Sequence, residues 1–433
     1  MRSTRIRHLP ARAVLALAAA AAATTAAAQT AQVVKPPQAQ AWIDVATYSG
    51  FGMPGAGMGG GGANPMAALG GLFGGGGGAQ KNSFGRTQAG QAGRWVDITV
   101  YSRANPALNE ATQAVPPGFL APALKLQAPR AVAGSKPPPE PGDERVDEQE
   151  PERPKGRLLM YWGCGATVRA GQPKVLDMAT LSPADLQKFF VTRRATQRGT
   201  HSVPGRPVWP QPDDARMVPA QASLVGEHTI SGQGLPEGWR FQIPPPQDLM
   251  PAIKLQQQPD GSGATDLRWD VLPTARGYFL AGMGSAGGGS QDAVFWTSSE
   301  QPDTGFGLMD YQTNPAVDRW LKEKVLLTPE VSHCTVPKGV FAGEGAMLRM
   351  IAYGSELNLA HPPRPSDPKV AWEPQWAVKL RVKSMTGAML GMADMPGMPG
   401  MGGAADELPP AASEPAKDKK PKALDMLKGI LGR

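Results

Sequence analysis

Two stretches of this chain repeat one alternation of apolar and polar side chains: Trp42-Ile43-Asp44-Val45-Ala46-Thr47-Tyr48 and Trp95-Val96-Asp97-Ile98-Thr99-Val100-Tyr101. A period of two places successive side chains on opposite faces of an extended strand, whereas a helix would scatter these apolar positions around its circumference. The likeness of the two stretches predicts paired or equivalent strands. Between them, residues 49–94 are Gly-rich, with an unbroken run from Gly74 to Gly78. That segment reads as a long inserted loop.

Further runs carry strand signals. They are 157–162, 266–270, 277–281, 293–297, 346–353 and 376–382. The pair 277–281 and 293–297 flanks a Gly/Ser-rich turn and predicts a hairpin. Two short helices are expected. Ser182-Pro183-Ala184-Asp185 is a helix-start signal, with Leu186, Phe189 and Phe190 on one face; Asn314-Pro315 opens a second helix that buries Val317, Trp320 and Leu321. The fold class is therefore mainly β.

Glycine and proline, at 53 and 45 of 433 residues, make up over a fifth of the chain, so part of it cannot bury a core. Three segments lack apolar periodicity and are expected to be disordered: Gly-rich 49–94, Pro-rich and charged 128–156, and Met/Gly/Pro-rich 393–422. A short repeat links Pro122-Ala123-Leu124-Lys125-Leu126-Gln127 to Pro251-Ala252-Ile253-Lys254-Leu255-Gln256, identical at five of six positions. If the repeat is structural, the chain holds two related sandwiches.

The first residues read as a secretory signal. Arg2, Arg5, Arg7 and Arg12 precede the apolar stretch 13–23, and Ala26-Ala27-Ala28 offers a cleavage site. The stretch is too short for a membrane span, which needs about 20 apolar residues. Without its four arginines, 40 basic side chains face 37 acidic ones, near +3. The basic balance is thus partly an export feature and gives no ground for nucleic-acid binding. The expected location is periplasmic or secreted.

Residues 248–384 resemble a fibronectin type III or immunoglobulin-like sandwich through Leu267-x-Trp269, Ala275-x-Gly277-Tyr278 and the alternating strands that follow. The resemblance implies Trp269 in the core and Tyr278 at the start of the next strand. The Tyr161-Trp162-Gly163-Cys164-Gly165 segment is similar to one found in uncharacterised secreted bacterial proteins, which implies no activity. The domain expectation is a signal peptide at 1–28 and a first sandwich at 40–247 with insertions at 49–94 and 128–156. A second sandwich at 248–384 follows, then a disordered tail at 385–433.

Candidate chemistry is sparse. Cys164 and Cys334 are the two cysteines, and in an oxidising compartment a disulfide is the natural reading, set against two separate buried thiols. Met385, Met389, Met392, Met395, Met398 and Met401 recur every three or four residues, with Met53 and Met58 in a similar context. Thioethers suit Cu(I); low complexity without a ligand is the plainer account. His201, His228, His333 and His361 show no metal-ligand spacing. The Gly-rich run ending at Lys81 lacks a phosphate-loop ending, and no nucleophile elbow is present. Asp266, Asp270, Glu344 and Glu356 could meet as paired carboxylates only through the fold. Ten Trp against eleven Phe suggest either core packing or exposed rings for a glycan or protein partner. Leu424, Leu427 and Leu431 share one helical face behind a basic run, a short amphipathic helix suited to peripheral membrane contact.

The expected function is a non-enzymatic exported envelope protein that presents sandwich surfaces to an envelope protein or glycan partner, with no cofactor. The alternatives are a periplasmic copper handler using the Met-rich tail and a hydrolase on a sandwich scaffold.

Overall fold

The computed structural model describes residues 32–50, 82–130, 156–180 and 199–391, apart from 289, 291 and 342–344, together with 182, 184, 185, 189 and 193. The expected signal peptide, the Met53/Met58 context, Glu344, most of the expected 182–194 helix and the C-terminal amphipathic helix lie outside these residues.

Strands dominate. In chain order they are β1 (Ala39–Gly50), β2 (Gly93–Ser102), β3 (Glu110–Ala114), β4 (Ala123–Gln127), β5 (Arg157–Trp162) and β6 (Lys174–Asp177). Next come β7 (Val208–Trp209), β8 (Gly226–Ser231), β9 (Arg240–Ile243), β10 (Gln256–Pro259), β11 (Thr265–Arg268) and β12 (Gly277–Ser285). The last are β13 (Ala293–Thr297), β14 (His333–Val336), β15 (Ala346–Tyr353), β16 (Leu357–His361) and β17 (Trp376–Leu390). Helix α1 (Arg86–Ala89) is a single turn, and α2 (Asn314–Lys322) is the longer one. Thr313 caps α2 by accepting from the Ala316 amide, and Val317 and Trp320 are its buried residues.

Among the described residues, fourteen strands form one mixed sheet in the order β6-β5-β13-β12-β15-β17-β1-β2-β7-β4-β3-β8-β9, with β16 also paired to β17. The twin alternating stretches do pair: β1 runs antiparallel to β2, with Ile43 opposite Ile98. The hairpin of β12 and β13 forms as well. On its other side β1 runs parallel to β17, with Asp44 opposite Arg381. Parallel neighbours need a crossover, and here it spans most of the chain. β5 is likewise parallel to β13. Strands from both sides of the expected 247/248 boundary therefore interleave in one sheet, and that boundary does not divide the strands into separate sheets.

A second sheet, β10-β11-β14, packs on the first. Leu267, Trp269, Cys334 and Val336 enter the same apolar cluster as Ile43, Ile98, Leu348 and Leu380 of the large sheet. That cluster also takes Leu124, Ile230 and Ile243 from the far strands. Trp269 lies edge-on to Tyr278, 5.6 Å between ring centroids, and the Tyr278 hydroxyl accepts from the Leu272 amide.

Three expectations change. The 122–127 and 251–256 repeat is not structural: 123–127 is β4, whereas 251–255 carries no strand and lies along β1, where Thr47 and Ser49 donate to the Met250 and Ile253 carbonyls. The tail does not begin at 385, because β17 continues to Leu390. The Gly-rich insertion is shorter than 49–94, since Asn82–Gln91 packs back on the sheet: the Tyr48 hydroxyl donates to the Thr87 carbonyl, and the Trp95 indole donates to that of Gln91.

Candidate ligand groove and its charged wall

The central strands are covered on both faces. One face, with Ala41, Ile43, Val45, Val378 and Leu380, is the main core. The opposite face changes character along its length. Toward the C-terminal end of β1 it is apolar again, with Ala46, Tyr48, Trp95, Ile351 and Met385 packed on Phe279 and Trp320. In the middle it is charged, and at the start of β1 it opens into a groove.

The charged region sits where a solvent-facing polar row would be expected. Asp44 and Arg381 are 1% and 4% exposed and form a two-pronged pair, Nε to Oδ1 and Nη2 to Oδ2, each 2.7 Å. A buried ion pair tolerates its desolvation only with such geometry and further partners. The partners are present: the Thr200 amide and hydroxyl both donate to Asp44 Oδ2, at 3.1 and 2.8 Å. Lys383 follows two residues along, also buried, 2.7 Å from Asp310. The Tyr311 ring lies between the two cations, 4.3 Å from the Arg381 guanidinium carbon and 4.2 Å from Lys383 Nζ, a double cation–π contact. Its hydroxyl donates to the Val45 carbonyl. Burial pushes the Arg381 guanidinium down, but the hydrogen bonds and charge of Asp44 outweigh it and the net is upward. Burial likewise raises Asp310, and the charge of Lys383 reverses it. Tyr311 is held well above its ordinary value, first by burial and then by the neighbouring Asp44 charge.

This cluster pins a loop. Gly199 lies directly over the pair: a Cβ there would fall 1.9 Å from Arg381 Nη2 and 2.9 Å from Asp44 Oδ2, so the approach requires glycine. One step on, His201 and Thr99 bond reciprocally, amide to Oγ1 at 3.0 Å and Oγ1 to carbonyl at 3.1 Å. Arg206 then stacks over Tyr101 at 5.1 Å. The loop 199–206 becomes one wall of a groove of about 560 Å³, within the range of small-ligand sites.

The groove's other walls come from β1, β16 and β17. Gln40 and Trp42 project from β1, Ala377 and Lys379 from β17, and Asn358 and Ala360 from β16, with Trp372 at the end. Lys379 lies 5.6 Å from the Trp42 ring and 2.7 Å from Glu356. The Trp372 indole N–H donates to the Pro362 carbonyl at 3.0 Å, which fixes its ring.

Of the residues singled out in the sequence, the groove collects Trp42 and His201, and it adds Trp372. Seven of the ten tryptophans are buried, so the Trp-heavy composition serves packing first. His228 is buried, bonded to Gln113 and the Leu224 carbonyl, and stacked on Phe241. His361 stacks on Trp376, outside the groove lining. His333 is an exposed residue of β14. The candidate carboxylates separate: Asp266 pairs with Arg268 on β11, Glu356 pairs with Lys379, and Asp270 is exposed. No cluster of three or more His, Cys, Asp or Glu able to hold a metal exists among the described residues. Met385 is buried in the second cluster and Met389 lies opposite Met347 in the ladder, so two of the six spaced sulfurs are strand residues; Met392 to Met401 lie outside the described residues. Cys164 and Cys334 form a disulfide with Cα atoms 5.2 Å apart, inside the normal window.

Sequence reasoning missed Gln40, Gly199, Thr200, Arg206, Asn358 and Lys379 as a group. Gln40 and Lys379 share the period-two face of Trp42, which is the signal that could have found them; the loop 199–206 offers none. No helix among the described residues is long and apolar enough to cross a membrane. No protein-family model, curated protein or solved structure matches the chain.

Proposed function

We propose that the chain is a non-enzymatic exported envelope protein that works by binding a ligand in the groove between β1, β16, β17 and the loop 199–206. The observation that carries this reading is the fixed wall of the groove. A buried ion pair holds the loop through Thr200, so the ligand-facing side chains are ordered before anything binds, which lowers the entropy cost of association. The lining joins two indole rings to amides and cations, the usual mixture of apolar surface with a few orienting polar groups.

Export is supported by the basic, apolar and small-residue order of the first 28 residues and by a disulfide, which persists in oxidising compartments. The immunoglobulin-like description belongs to the same proposal. It is supported by the layering of β10-β11-β14 on the large sheet, with Trp269 and Tyr278 in the core. The pairing of β1 with β17 limits it to layered packing within one interleaved body.

The test uses the mature chain and its Trp42→Ala variant on an array of bacterial envelope glycans and peptides. Binding by the parent and a loss of about tenfold or more in the variant is the expected result, consistent with removal of one large contact. Equal binding by both proteins would move the site elsewhere. Recovery of the protein from the cytosolic fraction with residues 1–28 intact would overturn the export claim.

A further inference from the structure

The charges around the groove do not balance. Asp44 is matched by Arg381 and Glu356 by Lys379. Arg206 has no carboxylate within ion-pair distance among the described residues, and its guanidinium makes no side-chain hydrogen bond there. It lies instead against Tyr101, 5.1 Å from the ring centre to the guanidinium carbon. Among the described residues no carboxylate lines the groove, whereas Arg206, Lys379 and the exposed His201 do. The groove is thus positive by about one unit, and that unit sits on a guanidinium held by a ring contact that leaves its N–H edge free.

The rest of the lining narrows the ligand. Trp42 and Trp372 bring indole rings to the groove, each with a cation over one face, Lys379 and Arg364. Gln40 adds a donor and acceptor amide, and Asn358, whose amide nitrogen donates to Glu356, adds its carbonyl oxygen and a second N–H. Pyranose rings present C–H faces that pack on indoles and equatorial hydroxyls that bond to planar amides. A guanidinium fork matches a planar carboxylate in two parallel hydrogen bonds. Resting on the reading that this groove binds a ligand, we propose that the ligand is a carboxylate-bearing saccharide, a uronic-acid-type oligosaccharide, with its rings on Trp42 and Trp372 and one carboxylate on Arg206. A peptide would be served less well, because nothing in the groove selects a side chain of fixed shape.

Titration calorimetry on the mature chain with tetragalacturonate and with its carboxyl-reduced galactotetraose tests this. The two probes share ring size and linkage and differ in charge. The acid should bind ~tenfold tighter or more, and the preference should weaken between low and high salt. Arg206→Gln should bring the two affinities within about twofold, since the remaining contacts are shared, whereas Trp42→Ala should weaken both together. Arg206→Lys, which keeps the charge without the fork, should retain only some of the preference, and serves as the readout if the Gln variant fails to fold.

Equal affinity for the two probes in the parent would overturn the carboxylate assignment and leave groove binding standing. Stronger binding of an acidic hexapeptide than of either saccharide would overturn the saccharide assignment alone. No heat with any probe, together with an unchanged Trp42→Ala profile on the glycan and peptide array, would overturn both readings.

Discussion

Asp97 stands on β2 beneath the single-turn helix α1, and its carboxyl collects the Gly85 amide on one oxygen and the Thr87 amide and hydroxyl on the other. Burial drives this carboxyl upward, the Thr87 and Gly85 hydrogen bonds pull it back, and the Asp44 charge adds to the rise; the balance puts it at about 7. An unfolded aspartate titrates near 3.9. Between those values the folded protein holds a proton that the unfolded chain does not, so this group's contribution is full below about pH 4 and is lost as pH rises through 7. Asp97→Asn removes the titration but places an N–H₂ against one of the donors. The variant should therefore start less stable at pH 5, and the gap should close by about 2 kcal/mol or more by pH 8. Urea unfolding of both proteins at pH 5, 6.5 and 8 measures it, and a constant gap would contradict the assignment. Gly199 offers a second residue-level check. Gly199→Ala puts a methyl into the Arg381 guanidinium, so it should cost about 1–3 kcal/mol and weaken groove binding without touching any ligand-facing side chain.

At the scale of elements, β17 decides most. It pairs with β1 from Trp376 to Gly387, with β16 from Trp376 to Leu380 and with β15 from Lys383 to Leu390. A chain ending at Gly391 should unfold in urea like the full protein. One ending at Ser384 loses the β15 ladder from the Ile351–Met385 pair onward, along with Met385 from the second core cluster, and should not give a cooperative transition. The contrast follows from buried ladder bonds that water cannot replace. Identical transitions for the two truncations would show the end of β17 to be dispensable. This strand also shows what could be read from the sequence. Its first half, Ala377 to Val382, alternates visibly, as do β1 and β2. Its second half carries Met385 and Met389, whose spacing merges with the Met-rich run beyond, so composition masked a strand. Asp44, Asp97 and Arg381 occupy polar positions of these alternations. Period two assigns a residue to a face but does not say whether the face is covered, and here the cover comes from Tyr311, Thr200 and α1, none of them adjacent in sequence. The parallel partners of β1 and β5 had no local signal either, since pairing across more than a hundred residues leaves no trace in a short window.

For the whole molecule, the interleaving makes the two ends of the described chain central neighbours, a topology of high contact order that folds slowly for its size. The disulfide acts on a different seam. Cys164 follows β5 at one side of the large sheet and Cys334 lies in β14 of the small one, 170 positions apart in sequence. The small sheet is seated by apolar contact through Leu267 and Trp269, by hydrogen bonds such as those from Gln257 to the Met389 carbonyl and from the Gly165 amide to the Thr335 carbonyl, and by this bridge. A loop of that length restricts the unfolded chain strongly, and losing such a bridge costs about 2–5 kcal/mol. Cys164→Ala with Cys334→Ala should therefore lower the unfolding free energy by that amount, read as a lower urea midpoint, while leaving the groove intact, because Trp42 and Lys379 sit on β1 and β17, joined by the Asp44–Arg381 pair, and Asn358 sits on β16, paired to β17, none of them at the bridge. Hydrogen exchange should report the loss unevenly, with β10, β11 and β14 exposed first and β1 and β17 last, since local stability follows the contacts that remain. Uniform loss across both sheets would mean that the small sheet is integral to the large one's stability, and an unchanged midpoint would mean that the bridge merely decorates a seam the apolar contacts already hold.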